Sequence, residues 1–435
     1  MIKQVIPNTS LNDLLKTLSG SNADAQDLPV TKAIEIITQF IKPIYSPEKR
    51  PILQALGRVL ADDVVSEINV PAYDNSAMDG YAFAGSSLLN TEETEYRIVG
   101  VAYAGRAYLG SVATGECVRI MTGAVMPDDC DTVVPQELSI NVSQSSIKIV
   151  PGKIKPGNNR RLAGEDLAIG RIALRKGKIL SPADIGLLAS LGIAEIPVQR
   201  RLRVAFFSTG DELRSLDEPL EAGCIYDSNR YTLHAMLSRL GCELIDMGVV
   251  KDDPVTLEAS FRAACESADI VITTGGVSVG DADYTRQIMT TLGEVAYWSI
   301  AMRPGRPMAF GKLHSRGHSA YLFGLPGNPV AVMVTFYFFV KQALLHLIGA
   351  DHLPPMMVVA KSKQAIKKSP GRTEYQRGIV EINSHGELEV GITGSQGSGI
   401  LRSMSEANCM IVLNHDQAQV NAGDKVSVVL FEGLI

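Results

Sequence analysis

What this chain lacks narrows its chemistry before any motif is considered. Its six cysteines (Cys117, Cys130, Cys224, Cys242, Cys265, Cys409) are scattered over 435 residues, with no CxxC pair and no His/Cys cluster at zinc spacing. A zinc module and a disulfide framework are thereby disfavoured, and reduced, mostly buried thiols are expected. His314 and His318 have the i, i+4 spacing of a metal pair, but the segment around Gly317 reads as a loop between strands, and no third ligand stands nearby. The Walker pattern GxxxxGK(S/T) is missing, as is a strand-linked GxGxxG with a downstream ribose acid, so ordinary ATPase and dehydrogenase readings lose ground. Residues 1–28 lack the basic start and continuous apolar core of a secretory signal, and their Ser, Asn and Asp content suggests a loose extension. The richest apolar run, Val330 to Leu347, carries Lys341 and His346 and reads as a buried helix, not a membrane span. A net charge of -6 and 46% hydrophobic residues describe an ordinary soluble protein. Cytoplasm is the expected compartment, and neither nucleic acid nor membrane is an expected partner.

What is present is organised by texture. From about residue 29 to 67 the pattern is helical: Ile34, Ile37 and Ile41 share a face, Pro43 ends it, and a second short helix is expected near Leu53 to Leu60. Residues 68–178 hold short apolar runs punctuated by Gly and Pro, which suits small twisted sheets. A helix follows at Ser181 to Gly192, with Ser181 as N-cap, Pro182 in the first turn, Asp184 as the box partner and Gly192 as the stop. Beyond Arg200 strand and helix alternate, which implies a parallel sheet with helices on both faces and a binding crevice at the carboxyl ends of its strands. Asn328 and Pro329 are placed to cap and open a long helix. Residues 354–435 return to β texture, with hairpin signals at SHGEL and NAGDKV, and read as a small barrel or sandwich.

The polar motifs fall at strand ends. In DIVITTGGVSVGDADY, Asp269 to Tyr284, an apolar strand runs into a turn where backbone N–H groups at Gly275, Gly276 and Gly280 can cradle an anion, while Asp281 and Asp283 can hold a hard cation. STGDEL sets Asp211 and Glu212 at another strand end, where a plain helix start would also welcome acids. With Asp252, these acids converge on one crevice, and the usual remedy for their repulsion is Mg²⁺ shared with substrate phosphates. MRPGRP places two arginines on a rigid turn, an anion clamp or a solvated β-turn. GLPGNP, Gly324 to Pro329, is either a second backbone nest or bare turn punctuation. PAYDNSAMDGYAF and RRLAGED are explicable as Asx-turn chemistry and an exposed ion-pair loop.

Taken in order, LPVTKAIEII, ALGRVLADDV, DNSAMDGYA, MTGAVMP, RRLAGED, SLGIAEIPV, FFSTGDEL, YDSNR, TTGGVSVGDADY, RPGRP and GLPGNPVA resemble the molybdopterin molybdenumtransferase family, called MoeA in bacteria and gephyrin E domain in animals. The resemblance runs from about residue 28 to the end. It implies insertion of molybdate into adenylylated molybdopterin with release of AMP and a requirement for Mg²⁺, the substrate coming from a partner adenylyltransferase with a related α/β domain. The implied fold is an α/β protein with β-rich domains: an extension at 1–27, a linker domain from 28–67 and 150–199, an inserted β-rich lobe at 68–149, a parallel-dominated α/β domain at 200–350, and a small carboxyl-terminal β-barrel at 354–435. The subunit would be elongated and pair as a homodimer, the crevice of one facing the β-rich lobe of the other.

The family's functional acids map onto Asp79, Asp166, Glu212, Asp252 and Asp283. Glu212, Asp252 and Asp283 would organise Mg²⁺ and the pyrophosphate, with Thr209, Gly210, Asp211, Gly275, Gly276, Ser278 and Gly280 around the substrate. Arg303, Pro304 and Arg306 would receive molybdate, and Pro326, Gly327, Asn328 and Pro329 would close that pocket. The chain departs from the family where Arg303 and Arg306 stand for lysines, Ser299 for another lysine and Ala331 for a frequent serine. A non-catalytic molybdopterin-binding scaffold and a molybdopterin adenylyltransferase are the competing readings. Five carboxylates kept at one crevice argue against the first, and the β-rich lobe and barrel against the second.

Overall fold

A computed structural model describes residues 10–19, 27–89, 91–276, 284–351 and 354–431. Its centre is a six-stranded sheet in the order Glu243–Val250, Arg203–Thr209, Ile270–Thr274, His318–Leu325, Pro307–Ser315, Gly293–Ser299. The first four strands are parallel, and Pro307–Ser315 pairs antiparallel with both His318–Leu325 and Gly293–Ser299. Strand Arg203–Thr209 is buried on both faces, which explains its unbroken apolar run. Its period of two divides the core: Val204 and Phe206 join the cluster with Leu233, Leu237 and Val334, while Ala205 and Phe207 join Leu257, Phe261 and Met289. Helices Ser228–Arg239 and Pro329–Leu347 therefore cover one face, and Pro254–Ser267 and Tyr284–Leu292 the other.

The antiparallel edge comes from a hairpin whose turn, Arg316 and Gly317, takes positive φ at both residues. His314 and His318 lie in its strands, outside any loop, at the register His314↔Ser319 and Ser315↔His318. No group of three metal-capable side chains occurs among the described residues. Helix Pro329–Leu347 is long and apolar enough to cross a membrane by length and composition, but 67% of its apolar window is buried inside the protein, as a core helix is.

The amino-terminal half is β-rich. Strands Thr132–Pro135, Gly80–Phe83, Glu116–Ile120, Thr94–Ala102, Ser146–Ile149 and Ser139–Ile140 form one sheet with an apolar cluster on each face. Short pairings, Pro47–Pro51 with Glu195–Gln199 and Val64–Val65 with Ile172–Leu174, surround a third cluster built on Leu60, Leu188 and Val198. Helix Pro182–Ser190 carries the expected capping box: Ser181 Oγ accepts from Asp184 N–H and Asp184 accepts from Ser181 N–H.

At the carboxyl end, Thr373–Ile382, Leu388–Ile392, Met357–Ser362, Lys425–Leu430 and Cys409–Leu413 close into a five-stranded barrel through the pairing of its first and last strands. The dipeptide strand Met302–Arg303 adds in parallel to Thr373–Glu374, so the α/β unit and the barrel share a seam.

Two further expectations fail. No helix forms at Leu53 to Leu60; Pro47–Pro51 is a strand, Ile52–Gln54 a 3₁₀ turn, and Gly57 takes φ +73. The apolar residues that suggested a helical face, Leu53 and Leu56, are exposed. Nor is the whole amino-terminal extension loose: Leu11–Ser19 is a helix, Ser10 accepts from Asp13 N–H at its start, and Leu11 and Leu14 enter the main core.

Candidate active site

The strand order places the carboxyl ends of Arg203–Thr209, Ile270–Thr274 and His318–Leu325 side by side, with Ser208 opposite Thr274 and Thr274 opposite Leu325. A cavity of about 950 Å³ opens over these ends and is closed by the turn from Met302 to Pro307 and the barrel loop from Gln396 to Gly399. The crevice expected from the α/β alternation is therefore roofed by a second unit. Gly275 takes φ +86, and a Cβ there would lie 2.3 Å from the Thr209 carbonyl oxygen, so the strands could not end this close with any other residue. The same closeness changes its expected role: the Gly275 N–H donates to Leu325 O at 3.2 Å and is not free for an anion. Gly276 N–H donates to no partner among the described residues. Ser278, Gly280, Asp281 and Asp283 lie outside the described residues.

One wall is acidic. Glu212 lines the cavity, and a Cβ on Gly210 would fall 2.7 Å from its carboxylate, which packs Glu212 back against its own turn. Asp252 follows the edge strand by two residues, and since Thr209 stands opposite Val250, the Thr209 hydroxyl donates to Asp252 Oδ1. In KDDP the helix-capping role belongs to Asp253, which accepts from Thr256 N–H at 2.9 Å. The Thr256 hydroxyl and N–H hold Asp253 below the usual carboxylate range. Asp252 is thereby released from the cap and turns to the strand ends. Asp211 is exposed and contributes its carbonyl, which accepts from Arg214 Nη1 at 2.9 Å.

The opposite wall is cationic. Gly305, at φ +100, packs so tightly on Thr335 that a Cβ would approach Thr335 Cγ2 to 2.6 Å, fixing the turn that carries Arg303 and Arg306. Both arginines line the cavity with Arg372 of the barrel. Arg303 has no carboxylate partner among the described residues. Arg306 is engaged: Asp27 Oδ1 accepts from its Nε at 3.1 Å and its Nη2 at 2.8 Å, and from Ser299 Oγ at 2.6 Å, while Arg372 Nε stands 3.4 Å from Asp27 Oδ2. A β-bridge at Leu28, bonded to Ser299 O and Ala301 N, pins Asp27 there. Partial burial pushes the Asp27 carboxyl up, but hydrogen bonds from Arg306 and Ser299 and the charges of Arg306 and Arg372 outweigh it and hold the group below the usual Asp value. Behind this wall, buried Arg377 donates to Ser403 Oγ and Gly397 O, and Val330 N–H to Ser398 O, clamping the barrel loop onto the helix start. Burial, then the neighbouring charge of Arg303, lower the Arg377 guanidinium to about 10.

Pro326, Gly327, Asn328 and Pro329 also line the cavity, as does Pro304. Pro329 opens the helix as expected, but the Asn328 side chain makes no capping bond, because the chain enters the helix through the Ser398 contact instead. Asp79 and Asp166 do not line this cavity. Asp79 is exposed at the foot of strand Gly80–Phe83 and accepts from Thr122 N–H and Oγ1, each at 2.7 Å, which holds it below the usual carboxylate range. Asp166 is exposed, its N–H bonded to Val70 O. In the same loop Arg160 pairs with Asp74.

The sequence reading missed four residues of this neighbourhood. Arg372 and Arg377 carry no local signal, since only barrel closure brings them to the α/β unit. Asp227 and Asn229 sit in YDSNR, which counted only toward a resemblance. A short parallel pairing of Leu213–Arg214 with Ile225–Tyr226 carries the chain to the cavity, where Asp227 N–H donates to Arg214 O at 3.0 Å and its Oδ1 accepts from Arg230 N–H at 3.1 Å.

Comparison with known proteins follows the same division of the chain. Residues 28–192 match the MoeA N-terminal region (domain I and II), residues 205–346 the probable molybdopterin binding domain, and residues 359–431 the MoeA C-terminal region (domain IV). The chain is 41% identical over 383 residues to the molybdopterin molybdenumtransferase of Haemophilus influenzae, covering 88% of this chain and 93% of that one. It is 37% identical over 415 residues to the enzyme of the same name from Nostoc sp., covering 92% and 93%. A solved molybdopterin biosynthesis moeA protein from Pyrococcus horikoshii OT3 superposes with a TM-score of 0.80 at 29% identity, over 93% of this chain and all of that one (100%).

Proposed function

Since the chain belongs to the MoeA family and is a molybdopterin molybdenumtransferase of molybdenum cofactor biosynthesis, we propose that the 950 Å³ cavity takes adenylylated molybdopterin and molybdate together. The observation that carries this reading is the pairing of walls: Glu212, at a strand end, lines the same space as Arg303 and Arg306 of the 302–307 turn and Arg372 of the barrel, while Asp252, held by the Thr209 hydroxyl, stands beside that space without lining it. A phosphoanhydride and a tetrahedral dianion are both anionic, and guanidinium groups on a rigid turn bind such oxyanions without losing charge. Arg303 and Arg372 would receive molybdate, and the Gly276 N–H, without a partner among the described residues, would donate to a phosphate oxygen.

Mg²⁺ would draw on a carboxylate donor set, two members of which lie among the described residues. Glu212 and Asp252 offer hard oxygen ligands at adjacent strand ends, and Asp252 is oriented by the Thr209 hydroxyl, while Asp283, the third expected ligand, lies outside the described residues. When bound, the ion supplies charge neutralisation for the breaking phosphoanhydride. The protein's own share is positional: Thr209 holds Asp252, Gly210 and Gly275 let the turns close on the substrate, and the barrel loop fixed by Arg377 excludes water from one side.

Asp79 and Asp166 enter this reading only through a second subunit, since both are exposed and neither lines the cavity of its own chain. A monomeric variant with full activity would remove that part. The central test is AMP release from adenylylated molybdopterin by the purified chain. Release should require both molybdate and Mg²⁺; release indifferent to either would defeat the proposal.

A further inference from the structure

Six buried side-chain polar atoms have no hydrogen-bond partner among the described residues, and two of them, Asp227 Oδ2 and Asn229 Oδ1, belong to residues lining the active-site cavity. Asp227 is 1% exposed and Asn229 6%. Their other atoms are engaged: Asp227 Oδ1 caps helix Ser228–Arg239 through Arg230 N–H, and Asn229 Nδ2 donates to Gly327 O at 2.7 Å. The second contact settles the amide orientation, leaving the oxygen as the free atom. Two acceptors, a carboxyl oxygen and an amide oxygen, are thus held without donors among the described residues, at a cost that a bound donor would remove.

We propose that Asp227 and Asn229 read the N–H edge of the substrate's heterocycle, accepting from adjacent ring N–H and exocyclic amino groups such as a 2-amino-4-oxopteridine presents. This rests on the reading of the substrate as an adenylylated pterin and assigns the end of it that neither the arginines nor the strand-end acids address. A carboxylate beside a neutral amide oxygen suits a donor-donor edge and rejects one that presents a carbonyl in place of the amino group.

The test uses the full chain and two fluorescent probes, 2-amino-4-oxopteridine and 2,4-dioxopteridine, with affinities measured by fluorescence titration. Wild type should prefer the amino probe about tenfold or more. Asp227→Asn turns a donor toward the ligand and should abolish the preference; Asp227→Ser removes the free oxygen and should reduce it. Asn and Ser both serve as N-caps, so thermal melts should stay within a few degrees of wild type and exclude misfolding as the cause. Absence of a preference in wild type, or its survival in Asp227→Asn, overturns the assignment; survival combined with lost Mg²⁺ binding would make the pair a cation site. AMP release is scored separately. Release without probe preference sinks this inference alone, and probe preference without release sinks only the proposed reaction.

Discussion

The two walls of the cavity are built by different means. The acidic wall belongs to one sheet: Glu212 follows strand Arg203–Thr209, Asp252 follows the neighbouring parallel strand Glu243–Val250, and the Thr209 hydroxyl holds Asp252. The arginine wall is assembled from the Met302–Arg303 seam, the Arg372 segment of the barrel and Asp27 from the far amino terminus, and it exists only when these three meet. Carboxylates gathered at strand ends repel one another, whereas Arg306 and Arg372 already hold the Asp27 carboxylate and Arg303 has no carboxylate partner among the described residues. One wall offers carboxylates without a cationic partner among the described residues; the other carries its own internal anion, Asp27.

The largest effect expected from this contrast is on the acidic side. Asp252→Asn keeps the shape but removes an ionic ligand, and should lower AMP release on the order of a hundredfold or more with little change in melting temperature. Activity near wild type would show that the wall is not the metal side. A smaller effect is expected across the cavity. Asp27→Asn removes the charge opposing molybdate while retaining the Ser299 contact, and should tighten apparent molybdate binding about two- to fivefold at low salt, the scale of a partly exposed ion pair. Weaker binding would instead make Asp27 a support that the arginines require. The smallest effect is a pH dependence. Because the folded Asp27 carboxyl lies below its usual value of 3.8, the contact is fully present above that value and is lost as pH falls through the folded one. Wild type and Asp27→Asn should therefore differ in molybdate binding at neutral pH and converge as the solution is acidified; a constant difference would detach the effect from this group.

The acidic wall was legible in the chain and the arginine wall only half so. STGDEL and KDDP follow apolar runs of strand character, and a parallel sheet places polar turns at its carboxyl ends, so Glu212 and Asp252 could be assigned to one crevice by periodicity alone. What periodicity does not show is which of two adjacent aspartates caps the helix; the contact of Asp253 with Thr256 decides that. Gly275 was anticipated as an amide donor because glycine turns often serve so, yet its N–H completes the sheet at Leu325. Asn328 looked like a cap, and a barrel carbonyl took over the helix entrance. The apolar residues from Leu53 to Leu60 resembled a helical face and are partly exposed, since pairing of Pro47–Pro51 with Glu195–Gln199 outweighs local preference. Leu11, Leu14 and Leu15 had helical spacing within a polar stretch, and the core that accepts them was not visible from there.

The sequence by itself determined the class of the fold, the order of strand and helix in the central unit, and the acids at its strand ends, because side-chain period and turn chemistry act over a few residues. Only the tertiary structure decided that Arg372 and Arg377 approach Arg303, that Asp27 occupies Arg306, and that Asp227 and Asn229 are buried, each with an oxygen that has no partner among the described residues. Those facts depend on contacts between segments tens to hundreds of residues apart, and burial sets their energetic meaning: a carboxylate in water needs no partner, while the same group enclosed against a cavity wall does.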